Sequence, residues 1–308
     1  MELLEQAAIG LLAGLFGGLL GVGGSVAIIP GLIFYLDQTR PDGYTGTDQH
    51  LIQAAAMICN VFVVAPSVLP HWRARAVMPS VVVGLIPSAL VGMLTGVAVS
   101  NSSSFARENG VYLAMILAGF LLYVAVYNTM RLFSQVDLER GFDPEKRFPT
   151  WRVVAVGIPM GFAAGLLGIG GGALAVPIQQ LVLRLPLRRA IANSAVTIVV
   201  VSCIGAIHKN ITLPNHGVSI LASIQLAAML IPTAILGSYV GGMLTHTLPR
   251  RALRVVFVIF MTSMAYLTFS RAWNAAVSAP NPSRAVHCEP VQRPAGTTCS
   301  RPSSTALS

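Results

Sequence analysis

The chain has 308 residues, of which 54% are hydrophobic and 10% charged, with a formal net charge of +9. A soluble domain of this size cannot hide that much apolar surface, so composition excludes the water-soluble classes and leaves an all-α polytopic membrane protein. The basic residues fall in short runs between apolar segments with no aromatics interleaved, which argues for topology determinants and against a nucleic-acid-binding face.

In chain order the first half reads as apolar segments at 3–20, a short 24–36, then 51–70, 77–99 and 110–132. The first of these follows Glu2 and Glu5 rather than the basic stretch of a cleavable leader, so it is expected to stay as a membrane segment. A charged linker occupies 133–150, with Asp137, Glu139, Arg140, Asp143, Glu145, Lys146 and Arg147, and is expected to be solvated and partly helical. The second half gives 152–167, a short 172–184, then 190–208, 217–245 and 252–273. Long segments can each span at about 20 residues per crossing; the short ones cannot cross as straight helices. The expected organisation is a first membrane repeat at 1–132, a cytoplasmic linker at 133–150, a second repeat at 151–275 and a Pro-, Ser- and Arg-rich disordered tail at 276–308. Eight to ten membrane segments result.

The repeat is visible in the residues. Gly14–Pro30 reads GLFGGLLGVGGSVAIIP, and Gly161–Pro177 reads GFAAGLLGIGGGALAVP. Pro87-Ser88-Ala89-Leu90-Val91-Gly92 with Gly96 matches Pro232-Thr233-Ala234-Ile235-Leu236-Gly237 with Gly241, and His71 matches His208. Internal duplication of a membrane bundle is a mark of many secondary transporters.

Charge bias argues for an orientation. If each first helix plus short segment returns to the side it came from, one side gathers Arg73, Arg75, Arg131, Arg140, Lys146, Arg147, Arg152, Arg184, Arg188, Arg189, Arg250, Arg251 and Arg254. The other side keeps Arg40, Arg107, Lys209 and Arg271. If each pair makes one interrupted crossing, no bias remains. The positive-inside rule therefore favours five segments per half, inverted halves, a cytoplasmic linker and both termini outside, over a parallel four-plus-four arrangement.

The glycine motifs are the candidates for chemistry. Inside a membrane, broken backbone persists only where it is buried in protein or lines a cavity. A helix starting after such a break turns free N–H groups and its positive dipole end toward that cavity, which attracts anions. Gly23, Gly24 and Ser25 in one half, and Gly170, Gly171 and Gly172 in the other, would supply those groups; a tight turn permitting close packing is the alternative use of the same glycines. Gly168–Ala173 formally fits a dinucleotide fingerprint, but no βαβ unit surrounds it, so no nucleotide cofactor is expected. The pairs Gly14/Gly18, Gly92/Gly96, Gly161/Gly165 and Gly237/Gly241 read as helix-packing faces.

Of the polar residues within spans, Gln53 and Asn60 lie in the third segment of the first half, and Asn193, Ser194 and Thr197 in its counterpart. Asn60, Asn193, Ser194 and Thr197 are candidate anion ligands; interhelical hydrogen bonding is their other use. His71 and His208, at matching helix ends, are candidates for a proton relay or simply interfacial residues. All eleven acidic residues fall at termini or in loops, and the arginines stay outside the spans. A substrate held by backbone groups and dipoles, and negative in sign, fits that distribution. Cys59 and Cys203 lie in apolar segments and Cys288 and Cys299 in the tail, with no metal-ligand spacing. No metal, no cofactor and no nucleophile–base constellation of an enzyme is expected.

The paired segments GLLGVGGSVAIIP and GLLGIGGGALAVP are each followed by an apolar helix ending in histidine and by P-x-x-x-x-G-x-x-x-G. On those residues the chain resembles the sulfite exporter TauE/SafE family over about residues 5–273. The resemblance implies a multi-pass permease of the cell inner (plasma) membrane that moves sulfite, an organosulfonate or a related small anion, mostly outward. Family members often carry a polar Thr-Ser pair after the glycine motif; Asn193-Ser194 roughly fills that place, whereas Ala55-Ala56 does not. The expected partners are the lipid bilayer and a small anionic solute, with no nucleic acid. A permease for another small anion and a non-transporting assembly or scaffold subunit remain open at this point. The inverted arrangement is checked by a reporter fused after Ser278, which is expected to be inactive in the cytoplasm; cytoplasmic activity there rules the arrangement out.

Overall fold

The computed structural model describes residues 2–39, 44–105, 109–133, 143 and 148–278. Most of the charged linker and all of the tail beyond Ser278 lie outside the described residues. Ten α-helices and two short 3-10 turns make up the described chain, with no strand among them. The helices are α1 Glu2–Leu20, α2 Ser25–Thr39, α3 Gly46–Arg73, α4 Pro79–Ser100 and α5 Gly110–Phe133, then α6 Thr150–Leu167, α7 Gly172–Val182, α8 Leu187–Thr212, α9 Ile220–Thr247 and α10 Arg250–Ser278. Seven of them are long and apolar enough to cross a membrane, and α1, α2 and α7 are shorter apolar helices. The chain is a multi-pass, all-α membrane protein.

Boundaries moved where local capping overrode hydropathy. The structure starts α3 at Gly46, before the apolar run at 51, because Asp48 in the first turn accepts the Thr45 N–H at 3.1 Å and stabilises the helix start. It carries α8 through Thr212, past the expected end at 208, since nothing breaks the helix before Pro214. The last helix continues through Ala276–Ser278, past the expected boundary at 275.

Two ends of the bundle can be distinguished by which residues meet. At one end, called the linker end, α3 finishes and α4 begins, and the Met78 N–H donates to Asn193 Oδ1 near the start of α8 at 2.8 Å. His71 of α3 and His246 of α9 also meet there, with Nδ1 and Nε2 2.9 Å apart. At the far end, Gly110 at the start of α5 sits against the Gly46 carbonyl at the start of α3. Asn101 after α4 donates to Thr212 of α8 at 2.9 Å, and Arg271 of α10 pairs with Asp37 in the last turn of α2. Thus α3, α5 and α9 run from far end to linker end, and α4, α8 and α10 run back. Asp37 is helical, not in a loop as its sequence position suggested, and so is Asp48, but both lie at helix ends.

The glycine faces decide which helices touch. A Cβ on Gly10, Gly14 or Gly18 would strike backbone of Leu230, Ala234 or Ser238, so α1 lies along α9 in the same direction. A Cβ on Gly161 or Gly165 would strike backbone of Ala89 or Met93, so α6 lies along α4 in the same direction. Gly92 and Gly96, and Gly237 and Gly241, make the reciprocal contacts. Each half thus gives its first helix to the fourth helix of the other. Small residues permit this approach, and in lipid the resulting van der Waals contact and Cα–H contacts drive association. Thr245 Oγ1 adds a 2.7 Å bond to the Leu19 carbonyl. After their breaks, α2 and α7 return toward the ends from which α1 and α6 set out.

Large apolar side chains cover the outside, as a lipid-facing surface requires, and Trp72, Trp151 and Trp273 are exposed near helix ends, the position of interfacial anchors. Gly161→Val is expected to lower the unfolding temperature in detergent by the equivalent of about 1–3 kcal/mol or more, the usual cost of overpacking. Gly119→Ala, where nothing lies within 4 Å of the added carbon, is expected to leave it unchanged or raise it, because alanine is the better helix former.

Candidate functional site

The breaks after α1 and α6 depend on glycine for backbone reasons. Gly21 and Gly23 have φ of 63° and 86°, and Gly168, Gly170 and Gly171 have φ of 75°, 67° and 80°. These left-handed conformations are open to glycine at no steric cost. Gly168 ends α6 as a left-handed cap, with its N–H on the Ala164 carbonyl at 3.0 Å.

The two turns abut. A Cβ on Gly172, the first residue of α7, would collide with the Val22 carbonyl carbon and oxygen in the other turn, and with Ile198 of α8. Gly21 packs on Ile191 of α8 and Gly168 on Gln53 of α3, so each turn rests on the long helix of the opposite half. The point of convergence is Asn60, fully buried midway along α3. Its Oδ1 accepts the Ser25 N–H at 3.0 Å, capping the N-terminus of α2. Its Nδ2 donates to Ser202 Oγ of α8 at 3.3 Å. Both Gly23 and Gly170 are so close that a methyl group on either would meet this carboxamide. Beside it the Ser25 hydroxyl is fully buried with no hydrogen-bond partner.

The structure therefore gathers Gly23, Gly24, Ser25, Gly170, Gly172 and Asn60 into one place, with Gly24 against Val63. Gly171 backs away from it, against the Met160 carbonyl and Ala164. Asn193, Ser194 and Thr197 lie toward the linker end of α8. Asn193 Oδ1 holds the elbow between α3 and α4, leaving its Nδ2 buried without a partner. Ser194 Oγ accepts from Gln179 Nε2 of α7 at 2.8 Å, and Thr197 Oγ1 bonds back to the Asn193 carbonyl at 2.9 Å. His71 is fully buried and edge-on to His246, with 5.1 Å between ring centroids. His208 is only half-buried and has no counterpart of that pairing. Among the described residues no group of three or more His, Cys, Asp or Glu could hold a metal.

Sequence reasoning missed several residues. Gln179 and Gln180 are buried in α7, and a pair of amides in so short an apolar helix was the available signal. His246, which meets His71 across 175 residues of chain, was not singled out at all. Lys209 was set outside the spans with the loop residues; the structure puts it inside α8, 1% exposed. The uninterrupted helix-permitting run from His208 to Thr212 could have revealed it. A cavity of about 450 Å³ opens at the linker end between Arg75, Arg188, Arg189 and His246, a cationic mouth of the sign that concentrates anions.

A model of the family described as sulfite exporter TauE/SafE matches residues 6–268. The chain belongs to this family. It is one of membrane transporters rather than enzymes. Relatives include the probable membrane transporter protein MamO of Paramagnetospirillum magneticum, 28% identical over 292 residues, covering 86% of this chain and 44% of the relative. The probable membrane transporter protein YunE of Bacillus subtilis is 25% identical over 280 residues, covering 86% of this chain and 98% of that one. A probable membrane transporter protein of Xylella fastidiosa is 28% identical over 272 residues, covering 87% and 95%. The chain spans less than half the length of the MamO relatives it matches. No solved structure matches the chain.

Replacing Asn60 by alanine leaves the Ser25 N–H and the Ser202 hydroxyl without their partner. It is expected to cost about 1–3 kcal/mol, the penalty of a buried donor left unsatisfied, read as a lowered unfolding temperature in detergent.

Proposed function

We propose that this chain is a secondary transporter that exports a small anion, sulfite or an organosulfonate, across the inner (plasma) membrane. The family description supports the substrate class and the direction. The carrying observation is the Asn60 carboxamide at the junction of the two glycine turns, its oxygen on the Ser25 N–H beside an unpartnered, buried serine hydroxyl. That oxygen occupies the place an oxyanion would take, at the positive end of α2, where the Ser25 N–H donates to it and the Ser25 hydroxyl is left for a further acceptor. A carboxamide is a neutral stand-in: it satisfies the Ser25 N–H while the site is closed and gives it up to a charged oxygen, whose hydrogen bonds are stronger.

In this reading the halves form an inverted repeat. The opposed directions of α3 and α8, α4 and α9, and α5 and α10 support it, as does the gathering of Arg73, Arg75, Arg152, Arg184, Arg188 and Arg189 at the linker end. That end faces the cytoplasm, and the mouth between Arg75, Arg188 and Arg189 is where the anion enters. Rocking of one half against the other separates the turns and exchanges the Asn60 oxygen for substrate.

The test is sulfite efflux from proteoliposomes holding the purified chain. The wild-type chain is expected to give saturable efflux, and Gly23→Leu and Gly170→Leu to abolish it while both variants still insert and elute as folded protein. Unchanged efflux in either variant sinks the turn mechanism, and no anion efflux from the wild type sinks the transport reading.

A further inference from the structure

The far end of α8 carries a cation that the glycine turns do not use. Lys209 is among the largest fully buried side chains of the protein. Its Nζ meets three neutral acceptors: Ser100 Oγ at 2.8 Å, Asn101 Oδ1 at 2.9 Å and His50 Nδ1 at 3.2 Å. His50 Nε2 lies 2.8 Å from the Phe105 carbonyl, so Nε2 carries the hydrogen and Nδ1 offers its lone pair to the ammonium. The His50 ring stacks on His216 with centroids 3.8 Å apart, and His216 Nε2 is 3.3 Å from the same Asn101 oxygen.

Three dipoles solvate this ammonium and none neutralises it. Among the described residues no carboxylate pairs with Lys209; Asp37 pairs with Arg271, and Asp48 accepts from Thr45. Burying an ammonium is unfavourable unless the protein pairs or solvates it, and here side chains from α3, α4 and the turn after α4 hold it. The cluster is also wired to the glycine turns. Ser100 Oγ donates to Gln53 Oε1 at 3.3 Å, and Gln53 Nε2 donates to the Leu166 carbonyl at 3.4 Å, where Gln53 packs on Gly168. Asn101 and His216 are half-buried and lie on the outer side of the ammonium.

We propose that Lys209, with Ser100, Asn101 and His50, forms a second anion site at the far end of the pathway, taking a compact oxyanion as it leaves the glycine turns. The inference rests on the anion-transport reading. The oxygens of the arriving anion replace those of Asn101 and Ser100 on Nζ, exchanging neutral acceptors for a charged one. Asn101 then swings outward with His216 and the anion is released.

The test uses the purified full-length chain in two assays: sulfite efflux from proteoliposomes, and thermal unfolding in detergent with and without sulfite. Lys209→Gln is expected to raise the half-saturating sulfite concentration by about tenfold or more, the loss of one charge-assisted contact, and to reduce the stabilisation by sulfite. Lys209→Arg is expected to keep both. A folded Lys209→Gln protein with wild-type half-saturation and wild-type stabilisation overturns the site and leaves Lys209 a pin between α4 and α8. Should Lys209→Gln fail to fold, Asn101→Ala decides: half-saturation is expected to shift, and an unshifted value overturns the proposal. Wild-type efflux with an indifferent Lys209→Gln defeats the second site alone. Sulfite stabilisation that depends on Lys209 without any efflux upholds the site and defeats the transport reading; neither efflux nor stabilisation in the wild type defeats both.

Discussion

Backbone polar groups in the apolar part of this bundle must find partners within the protein, and the two glycine turns are where that demand is hardest to meet. A break in a helix frees N–H and C=O groups that water cannot reach. The protein answers by pressing the two breaks together at the middle of α3 and inserting one carboxamide between them. Asn60 spends its oxygen on the start of α2 and its nitrogen on Ser202 of the other half. One side chain thus caps a helix, joins the halves and keeps the backbone donor of the proposed anion site occupied. Glycine is required around it for two separate reasons: the positive φ of the turns, and the room for the carboxamide that a Cβ on Gly23 or Gly170 would take.

The rest of the architecture holds that meeting point in place. The glycine faces of α1 and α6 let each lie against the backbone of α9 and α4, so the helix leading into each break is clamped by the opposite half. Neither half supplies its own clamp. A relative movement of the halves therefore acts directly on the turns, through contacts dominated by backbone and small side chains. Such contacts resist local deformation and favour movement as a body.

Charge is placed with the same economy. Asp37 and Asp48, which proved to be helical, lie at helix ends. Guanidinium groups gather at the linker end around a cavity, and one ammonium is taken inside at the opposite end. The pathway proposed between them runs from a solvated cationic mouth, through neutral donors at the turns, to a buried cation. An anion passing along it meets no carboxylate among the described residues.

The sequence by itself determined the class, the ten helical segments to within a few residues, the duplication and the packing role of the spaced glycines. Each of these follows from local composition and period, which one strand of text carries in full. Asn60 could be picked out as polar within an apolar run for the same reason. Only the tertiary structure decided that Asn60 rather than Asn193 stands at the turns, that α1 belongs to α9 and α6 to α4, and that Lys209 is enclosed. Those facts depend on which surfaces meet across more than a hundred residues of chain, and a buried amide or ammonium looks in sequence like any other until its neighbours are known.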